Sequence, residues 1–473
     1  MGISMNYIDD FLAIEKELHL NDFQTDGFYF WNYFRTTLYK KMVDTLNANG
    51  EAFDQYNLTI KKMLSSAINC ITKAEYKFPQ KKHDILIMCH PRRVLRENAY
   101  ESIYTDFITS HYDTLSVEIP YRGSHFVPPV SEGIFYLDYL YASRALEMKC
   151  KKVSTNPEIE KFVHEICNVF KERFDFEIDA NWLRSNILKL KARYKYTYNY
   201  FTKMVKTVDP KIIIEAVYYN FENMVMNEVA HNLGIKVIEF QHGVTGRDHC
   251  AYNFGSSTAV KQLPDEVLFF SDAWANSVRL PSYVERKSVG FHHFDEMREK
   301  YKIQEERNGI IFISSGTVGD SLSRFAVEAI KYIKENNLRY ELIYKLHPGE
   351  YSSWREKYPW LEKSDINVVD NNEVHLYELF SRSIAQVGVY STAIFEGIGY
   401  NLKTYILDND NIDYVDILFD YSAAKLVSNV SEIFTSMQDS SSMCGALVFW
   451  KPNAKDNVFY EIDSNLEKYT KRQ

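Results

Sequence analysis

Short apolar segments alternate with longer amphipathic segments through the last third of the chain. The apolar segments lie at 309–313, 342–346, 366–370, 385–390 and 403–407. Continuous apolar runs of this length are typical of strands that are buried on both faces, and the segments between them suit helices. Strands that alternate with helices predict a parallel sheet. This part of the chain is therefore predicted to be a doubly wound α/β domain.

A second series of such segments precedes the first. Buried strands are predicted at 84–88, 115–119, 211–216, 235–240 and 267–270. The segment 221–233 is predicted to be a helix, and it stops at Gly234, whose backbone freedom suits the end of a helix. It joins two of these strands into a strand–helix–strand unit, which places them parallel in one sheet. The first eighty residues and the segment 139–205 are predicted to be mostly helical.

The chain divides into two domains. Its 473 residues exceed the size at which a single hydrophobic core stops growing. A charged stretch at 293–308 separates the two series of strands. We therefore predict an α/β fold with two Rossmann-like doubly wound domains that face each other across a cleft. The predicted domains are residues 1–297, which include the helical additions, and residues 298–473.

Overall charge and cysteine spacing exclude several classes of protein. A formal charge of −9 at pH 7 argues against a nucleic-acid partner. The six cysteines are widely spaced, so neither a zinc site nor a redox pair is predicted. No apolar run is long enough to span a bilayer and no secretion signal is evident, so a cytoplasmic protein is expected. Basic segments at 149–152 and 189–193 leave a peripheral contact with the inner face of the membrane open, although solvated helix faces explain them more simply.

The first cluster with chemical potential ends the strand at 342–346. In an open parallel sheet, ligands bind at the carboxyl ends of the strands. The imidazole of His347 can donate to a phosphoryl oxygen or protonate a departing phosphate, and Lys345 adds positive charge. Pro348 stops the strand and fixes the turn. We predict a phosphate contact here; the alternative is a histidine with a capping or core role.

A second cluster begins the helix that follows the strand at 385–390. The hydroxyl groups of Ser391 and Thr392, with the free N–H groups of a helix start, form an anion site. Glu396 lies four residues beyond Thr392 on the same helix face. Its carboxylate can accept hydrogen bonds from ribose hydroxyls. These positions favour a nucleotide site over a simple serine cap with a surface glutamate.

Ser315, Gly316 and Thr317 form a third cluster, after the first strand of the second domain. Backbone N–H groups in such a turn can approach a phosphate. The segment matches neither a P-loop nor the dinucleotide fingerprint, so an ordinary turn with a serine cap explains it equally well.

In the first domain, polar groups are concentrated in the loop after the strand at 235–240. We predict that four of them line the acceptor side of the cleft: Gln241, His242, Gly243 and Arg247. Arg92, which follows the first strand, is a further candidate for contact with an anionic substrate; a solvent-facing or ion-paired arginine is the alternative.

These motifs, in this order, resemble those of bacterial GT-B glycosyltransferases of surface-polysaccharide assembly. The matching motifs are Gln-His-Gly at 241–243, Lys-Leu-His-Pro at 345–348 and Ser-Thr-Ala-x-x-Glu-Gly at 391–397. They are similar in particular to those of sialyl-, polysialyl- and Kdo-type transferases. The resemblance implies that His347 and Ser391 or Thr392 contact the phosphate of the donor nucleotide.

The general base that such a reaction needs is not fixed by the resemblance. The sialyltransferase group carries an acidic-acidic-Gly motif in its first domain, and the acid of that motif is the base. This chain has only partial matches, which end in Glu132-Gly133 and Asp26-Gly27. A carboxylate or a histidine can remove the proton from an acceptor hydroxyl. Glu132, Asp26 and His242 are therefore the candidates.

We expect a metal-independent GT-B glycosyltransferase. It would move a sugar from a nucleotide-activated donor, preferably a CMP-sugar, to a glycan or lipid-linked glycan such as capsule or lipopolysaccharide. No cofactor beyond this cosubstrate is expected. Asp408-Asn409-Asp410 has the spacing of a manganese–diphosphate motif, but its residue types favour a turn. Three alternatives stay open: a CDP-alcohol polyol-phosphate transferase of the teichoic-acid type, a nucleotide-sugar 2-epimerase, and a non-catalytic glycan- or nucleotide-binding partner.

Overall fold

The computed structural model describes residues 7–46, 78–90, 93–121, 123–150, 154–255, 259–316, 318–408, 415–438 and 445–472. Two predicted site residues, Arg92 and Thr317, lie outside these described residues. So do Asn409 and Asp410 of the Asp-Asn-Asp motif, and residues 151–152 of the first basic segment.

The described strands and helices alternate as predicted. The strands are β1 (Ile85–Met88), β2 (Val94–Arg96), β3 (Ala99–Glu101), β4 (Thr114–Glu118), β5 (Phe135–Tyr136), β6 (Ile212–Glu215), β7 (Lys236–Phe240), β8 (Glu266–Phe269), β9 (Glu285–Ser288), β10 (Gly309–Ile313), β11 (Glu341–Lys345), β12 (Asn367–Val369), β13 (Ser383–Gly388), β14 (Lys403–Leu407) and β15 (Lys425–Val427). The helices are α1 (Tyr7–Glu17), α2 (Phe30–Leu46), α3 (Asp106–Thr109), α4 (Asp138–Cys150), α5 (Pro157–Phe174), α6 (Ala180–Val208), α7 (Phe221–Asn232), α8 (Asp272–Ser277), α9 (His292–Lys300), α10 (Gly319–Glu335), α11 (Trp354–Lys357), α12 (Pro359–Glu362), α13 (Leu376–Arg382), α14 (Thr392–Gly399), α15 (Asp416–Asp420), α16 (Val430–Gln438) and α17 (Ala454–Arg472).

Two parallel sheets organise the chain. The first has the order β5-β4-β1-β6-β7-β8-β9, and the second has the order β12-β11-β10-β13-β14-β15. In each sheet the chain starts in the middle, adds strands on one side and then returns to add strands on the other side. This is the strand order of a Rossmann domain. The prediction of an α/β fold with two Rossmann-like domains is therefore confirmed.

Helices from the N-terminal part of the chain form an aromatic layer behind the first sheet. Trp31 of α2 stacks on Phe11 of α1, with ring centroids 5.9 Å apart, and both side chains are fully buried. The start of α5 follows its sequence: Pro157 takes the first helical position and the Asn156 side chain accepts from Ile159 N at 2.9 Å. The stacking joins two helices of this layer, and the assignment of the helical additions to the first domain stays a prediction.

A buried ion pair ties this helical layer to the loop that follows β7. Arg35 of α2 pairs with Glu15 of α1, and neither side chain is more than 2% exposed. The Arg35 guanidinium also donates to the carbonyl oxygens of Cys250, at 2.6 Å, and Asn253, at 2.8 Å. Since every partner is buried, the guanidinium acts as a fixed support under residues 250–253.

Arg35→Ala is expected to lower the free energy of unfolding by about 3–5 kcal/mol. The reason is that the substitution leaves the Glu15 carboxylate buried without its counter-ion. Urea unfolding followed by circular dichroism measures the change. Arg339→Ala, at an exposed position, serves as the control and should change the same free energy by less than about 0.5 kcal/mol. Equal losses in the two variants would contradict a structural role for Arg35.

The end of the chain returns to the first domain. Val458 and Ile462 of α17 are buried in the same apolar cluster as Ile85 of β1 and Ile212 of β6. Just before α17, Trp450 stacks on Phe294 of α9, with ring centroids 4.2 Å apart. The predicted boundary between residues 297 and 298 stays a prediction, but these contacts place the last helix on the first sheet and not in the second domain.

None of the helices that the structure describes is both long enough and apolar enough to cross a membrane.

Candidate functional site

The predicted phosphate clusters surround the point where the strand order of the second sheet reverses. That point lies between β10 and β13, and ligands of doubly wound sheets bind in the crevice at such a point. Ser315 and Gly316 follow β10, whereas Ser391 and Thr392 follow β13. Gly316 has a φ of 76°, a conformation that favours glycine. The topology thus brings two of the predicted clusters to one crevice.

Ser391 and Thr392 have different roles at the start of α14. The Ser391 side chain caps the helix, because its Oγ accepts from Ala393 N at 3.2 Å. Thr392 is exposed. A helix start combines unpaired N–H groups with positive potential, which suits a phosphate. Contact of either residue with a nucleotide stays a prediction, and Thr392 has the more accessible hydroxyl.

The start of α14 faces the Gln-His-Gly loop of the first domain. A Cβ atom built on Gly243 would lie 4.0 Å from Thr392 Oγ1. The two motifs are far apart in sequence, and only the packing of the domains brings them together. The cleft between the domains is therefore narrow here, and one bound molecule can touch both sides.

His347 occupies a turn that fixes its tautomer. Its Nδ1 accepts from Gly349 N at 3.1 Å, and its own backbone N–H donates to Glu350 Oε2 at 2.8 Å. Since Nδ1 uses its lone pair in this bond, the neutral ring carries its proton on Nε2. The residue is exposed, so Nε2–H is available as a donor to a ligand.

Glu350 connects the His347 turn to the start of α10. Its buried carboxylate accepts from Tyr358 Oη at 2.8 Å as well as from His347 N. A Cβ atom on Gly319 would lie only 2.6 Å from Glu350 Oε1 and 2.0 Å from Tyr358 Oη, so only glycine fits at this helix start. The start of α10, which follows the third predicted cluster, is thus packed against the His-Pro turn through Glu350.

Lys345 does not extend toward the crevice. Its side chain is buried, and its Nζ donates to the Asn371 carbonyl oxygen at 2.8 Å and to the Tyr351 hydroxyl. Burial lowers the pKa of Lys345 from its ordinary value, although the charge of Asp370 opposes this. The prediction of a direct phosphate contact is corrected by these bonds: Lys345 holds the segments after β11 and β12 together.

Glu396 lies in the wall between the domains. Its carboxylate is hydrogen-bonded to Tyr377, and burial raises the pKa of Glu396 to about 7 against the effect of that bond. Tyr104, from the first domain, lies near enough to Tyr377 to contribute to the raised pKa of that phenol, of which burial is the main cause. The predicted contact with ribose hydroxyls stays a prediction, and a nucleotide would share this carboxylate with Tyr377.

His242 is surrounded by aromatic side chains of the first domain. Its Nε2 lies 2.9 Å from Tyr219 Oη, and its Nδ1 lies 3.5 Å from Tyr252 Oη. Tyr104 Oη donates to the His242 carbonyl oxygen at 2.7 Å. The His90 ring, directly after β1, is 5.9 Å away between centroids. His242 is half-buried, at the carboxyl end of β7 and next to Gly243, so it borders the cleft.

Two other residues of this loop do not line the acceptor side as predicted. Gln241 is fully buried: its Nε2 donates to the Gly243 carbonyl oxygen at 2.7 Å, and its Oε1 accepts from Phe270 N at 2.8 Å. It shapes the loop. Arg247 forms ion pairs with Asp416, at 3.4 Å, and Asp420 of α15. It joins the two domains, because α15 belongs to the second.

The Arg247 contact is expected to be weak and salt-dependent. The arginine is about half exposed, with 55% of its side chain accessible, and exposed ion pairs contribute about 0.2–1 kcal/mol. A double-mutant cycle with Arg247→Ala and Asp420→Ala, followed by urea unfolding, should give a coupling energy in this range. The coupling should vanish near 1 M salt. A coupling that persists in high salt would contradict an exposed electrostatic contact.

The structure separates the three candidate bases. Asp26 lies in an exposed turn of the helical layer and pairs with Lys191 of α6 at 2.7 Å. Glu132 is exposed in the loop before β5, which is an edge strand. His242 follows β7 and borders the cleft. The position of Asp26 in the helical layer does not support it as the base, whereas Glu132 and His242 both stay candidates, and His242 is the one that borders the cleft.

Arg93, next to the predicted Arg92, is buried in a charged cluster at the end of β1. Its Nε lies 3.0 Å from Glu118 Oε2, and its Nη1 lies 3.6 Å from Asp106 Oδ2. His125 bridges Glu118, at 2.7 Å, and Asp138, at 2.6 Å. These bonds to both carboxylates raise the pKa of His125 to about 9 against the effect of burial. Arg93 is therefore a buried, ion-paired arginine and not one that contacts a substrate.

Several site residues have no signal in the sequence. Tyr104, Tyr219, Tyr252 and Tyr377 are 4 of 35 tyrosines, and most tyrosines pack in cores. His90 has a signal, because it directly follows a buried strand, as His347 does. In the parts of the chain that the structure describes, no group of three or more His, Cys, Asp or Glu residues could hold a metal ion.

Comparisons with known proteins give structural similarity alone. No family model matches the chain, and no curated protein sequence does. A UDP-GlcNAc 2-epimerase from Methanocaldococcus jannaschii is 10% identical, with a TM-score of 0.48 over 80% of this chain and 99% of the other. MurG from Acinetobacter baumannii is 12% identical, with a TM-score of 0.47 over 82% and 100%. The wall teichoic acid polymerase TagF is 10% identical, with a TM-score of 0.42 over 93% and 98%.

Proposed function

We propose that this protein is a glycosyltransferase that uses a nucleotide-activated sugar. The observation that carries the proposal is the short distance between Gly243 and Thr392, 4.0 Å from a built Cβ to Oγ1. Next to Gly243, on one side of the cleft, lies His242, whose imidazole can accept and donate a proton. On the other side lies a helix start that suits a phosphate. Group transfer from a nucleotide needs both functions at one bond.

The second domain would hold the leaving phosphate. Three groups at the carboxyl ends of β11 and β13 would serve this purpose: the N–H groups at the start of α14, the Thr392 hydroxyl and the Nε2–H of His347. Each is a hydrogen-bond donor, and preorganised donors stabilise the charge that develops on a leaving phosphate. These groups neutralise the charge without a divalent cation, so a metal-independent reaction is proposed.

The first domain would activate the acceptor. His242 Nε2 accepts the proton of an acceptor hydroxyl, and the oxygen attacks the anomeric carbon of the donor sugar. The new carbon–oxygen bond forms as the bond between the anomeric carbon and the phosphate oxygen breaks, and the electron pair of that bond stays on the nucleotide. Tyr219 Oη, now 2.9 Å from Nε2, would have to yield this position to the acceptor.

We further propose a CMP-sugar as the donor and a glycan or lipid-linked glycan of the bacterial surface as the acceptor. The resemblance of the motifs to sialyl-, polysialyl- and Kdo-type transferases supports both. The proposed location is the cytoplasm, at the inner face of the membrane where such acceptors are assembled. No cofactor other than the donor is proposed.

A thermal-shift screen with CMP, CDP, UDP and GDP tests the donor. Saturation at 100 times Kd is worth about 2.7 kcal/mol of stability, so the cognate nucleotide should raise the Tm clearly. Stabilisation by UDP or GDP alone would exclude a CMP-sugar. Thr392→Val keeps the side-chain shape and removes the hydroxyl, so it should weaken binding of the cognate nucleotide without changing the Tm of the free protein.

Release of free nucleotide tests the reaction. Turnover that depends on an acceptor supports transfer. Epimerisation of a UDP-sugar without any acceptor would indicate an epimerase instead. Release of CMP from a CDP-alcohol, with transfer of the alcohol phosphate to the acceptor, would indicate a polyol-phosphate transferase, and the absence of turnover with any donor would indicate a binding protein.

A further inference from the structure

Two carboxyl groups are buried side by side beneath His242. Glu215 ends β6 and Glu239 lies in β7, and the two residues are direct register neighbours on parallel strands. Both side chains therefore point to the same face of the sheet, and adjacent strands are only about 4.8 Å apart. Both residues are fully inaccessible to solvent. Carboxyl groups are rarely buried so completely without a partner of opposite charge.

Each of the two groups accepts hydrogen bonds from buried donors. Glu239 Oε1 accepts from Tyr252 Oη at 2.6 Å and from Tyr218 N at 3.0 Å. Glu215 Oε1 accepts from Asn227 Nδ2 at 2.8 Å. The second oxygen of each carboxyl group, Oε2, has no hydrogen-bond partner among the described residues. One proton, bound by Glu215 and donated to Glu239, would satisfy both oxygens.

The protonation of the pair follows from this arrangement. Two neighbouring buried carboxylates repel each other, so they titrate as a pair and cannot both be ionised near neutral pH. Both groups have donors that favour the ionised form, Tyr252 and Tyr218 N for Glu239 and two asparagines for Glu215, so these bonds do not decide between them. Burial raises the pKa of Glu239 to about 8, whereas burial and the charge of Glu239 raise that of Glu215 further, so Glu239 is the first to ionise and Glu215 keeps its proton. The pair therefore carries at most a single negative charge.

Tyr252 links this charge to the cleft. Its hydroxyl donates to Glu239, so its oxygen lone pairs are free to accept from His242 Nδ1, 3.5 Å away. A histidine that donates from Nδ1 presents the lone pair of Nε2. Nε2 is the nitrogen that meets the cleft hydroxyls, as its contact with Tyr219 indicates. The buried pair thus selects the tautomer that a base at this position requires.

We propose that Glu239, acting through Tyr252, is a positioning residue that makes His242 the base, and that Glu215 stores the proton that keeps the pair singly charged. This inference rests on the proposed function. When His242 Nε2 takes the proton of the acceptor, the positive charge on the ring is offset by Glu239 through the Tyr252 hydroxyl. Glu215 keeps its proton, so no further group changes charge.

Other titratable groups near His242 do not replace this charge. Burial lowers the pKa of His249 to about 4, so that ring is neutral. Tyr104, Tyr218 and Tyr219 are neutral phenols, and the His90 ring lies 5.9 Å from His242. Arg35, from α2, faces the same loop, but its charge is balanced by Glu15 at 2.5 Å. Among the described groups packed here, the carboxyl pair supplies the negative charge.

The experiment measures the pKa of the His242 imidazole by NMR titration of histidine-labelled protein, with His242→Gln to assign the signal. Glu239→Gln should lower this pKa by about one unit, because a negative charge is lost. Tyr252→Phe should lower it in the same direction and provides a second test if Glu239→Gln does not fold. An unchanged pKa in both variants would overturn the proposal. This readout needs no substrate, so it stands apart from the proposed function.

Kinetics add a second, independent readout. Glu239→Gln should lower kcat by about 10–100-fold and leave the KM for the donor within about threefold, since the donor binds to the other domain. It should also move the acidic limb of the kcat/KM profile to lower pH. Glu215→Gln keeps a neutral, hydrogen-bonding side chain beside Glu239, so its loss of kcat should be at least about tenfold smaller. Equal losses in the two variants would overturn the assignment of the charge to Glu239. If the wild-type protein shows no turnover, the proposed function is wrong. The NMR titration alone then tests whether the carboxyl pair acts on His242.

Discussion

His242→Gln is expected to lower kcat by about 10²–10⁴-fold, the usual contribution of a general base. Glutamine is close to histidine in size and keeps a polar end group, but it cannot accept a proton near neutral pH. The KM for the donor should change little, because His242 lies in the first domain and the proposed donor site lies in the second. Release of nucleotide in the presence of acceptor measures both constants.

A matched control shows that the loss is specific to this position. His164 is an exposed histidine of α5 in the helical layer, so His164→Gln should keep kcat within about twofold. The two substitutions should change the free energy of unfolding by similar, small amounts, because His242 is only half-buried. Retention of more than a tenth of wild-type kcat by His242→Gln would contradict its role as the base.

His347→Ala is expected to lower kcat by about 10²–10³-fold, the effect seen when one preorganised donor to a developing charge is removed. It should also destabilise the turn modestly, by about 0.5–2 kcal/mol, because the Nδ1 cap to Gly349 is lost. Turnover and urea unfolding measured on the same preparation give the two effects. The loss of activity should far exceed the loss of stability.

His347→Asn separates the two roles of this residue. Asparagine is a good cap and can accept from the Gly349 N–H, but it has no group that reaches the position of Nε2. We expect wild-type stability and an activity as low as that of His347→Ala. Full activity in His347→Asn would show that the histidine only caps the turn, and the phosphate contact would be wrong.

The sequence predicts the central strands of both sheets and the edge strand β12, and it misses the edge strands β5, β9 and β15. β6 is Ile-Ile-Ile-Glu and completely buried, so its apolar run is a direct consequence of its position. β9 is Glu-Arg-Lys-Ser, with two exposed and two half-buried residues, and only its backbone bonds to β8 define it. An edge strand has no second neighbour to exclude water, so its side chains need not be apolar.

The site is predictable on the donor side, because the rule for strand ends is local. His347, Ser391 and Thr392 are placed by their own strands and helix. Lys345 donates to Asn371 and Arg247 pairs with Asp420, and each partner lies in a segment that is distant in sequence. The sequence pattern therefore does not predict these contacts. The tyrosines around His242 are hidden for the same reason.

The return of α17 to the first sheet makes the first domain discontinuous in sequence. A fragment that stops at residue 297 lacks Val458 and Ile462, and it leaves the apolar surface around Ile85 and Ile212 open to water. Such a fragment is a poor choice for expressing this domain on its own. A fusion that joins residue 300 to residue 449 through a short linker would keep the helix with its sheet. A tag placed after α17 likewise attaches to the first domain and not to the second.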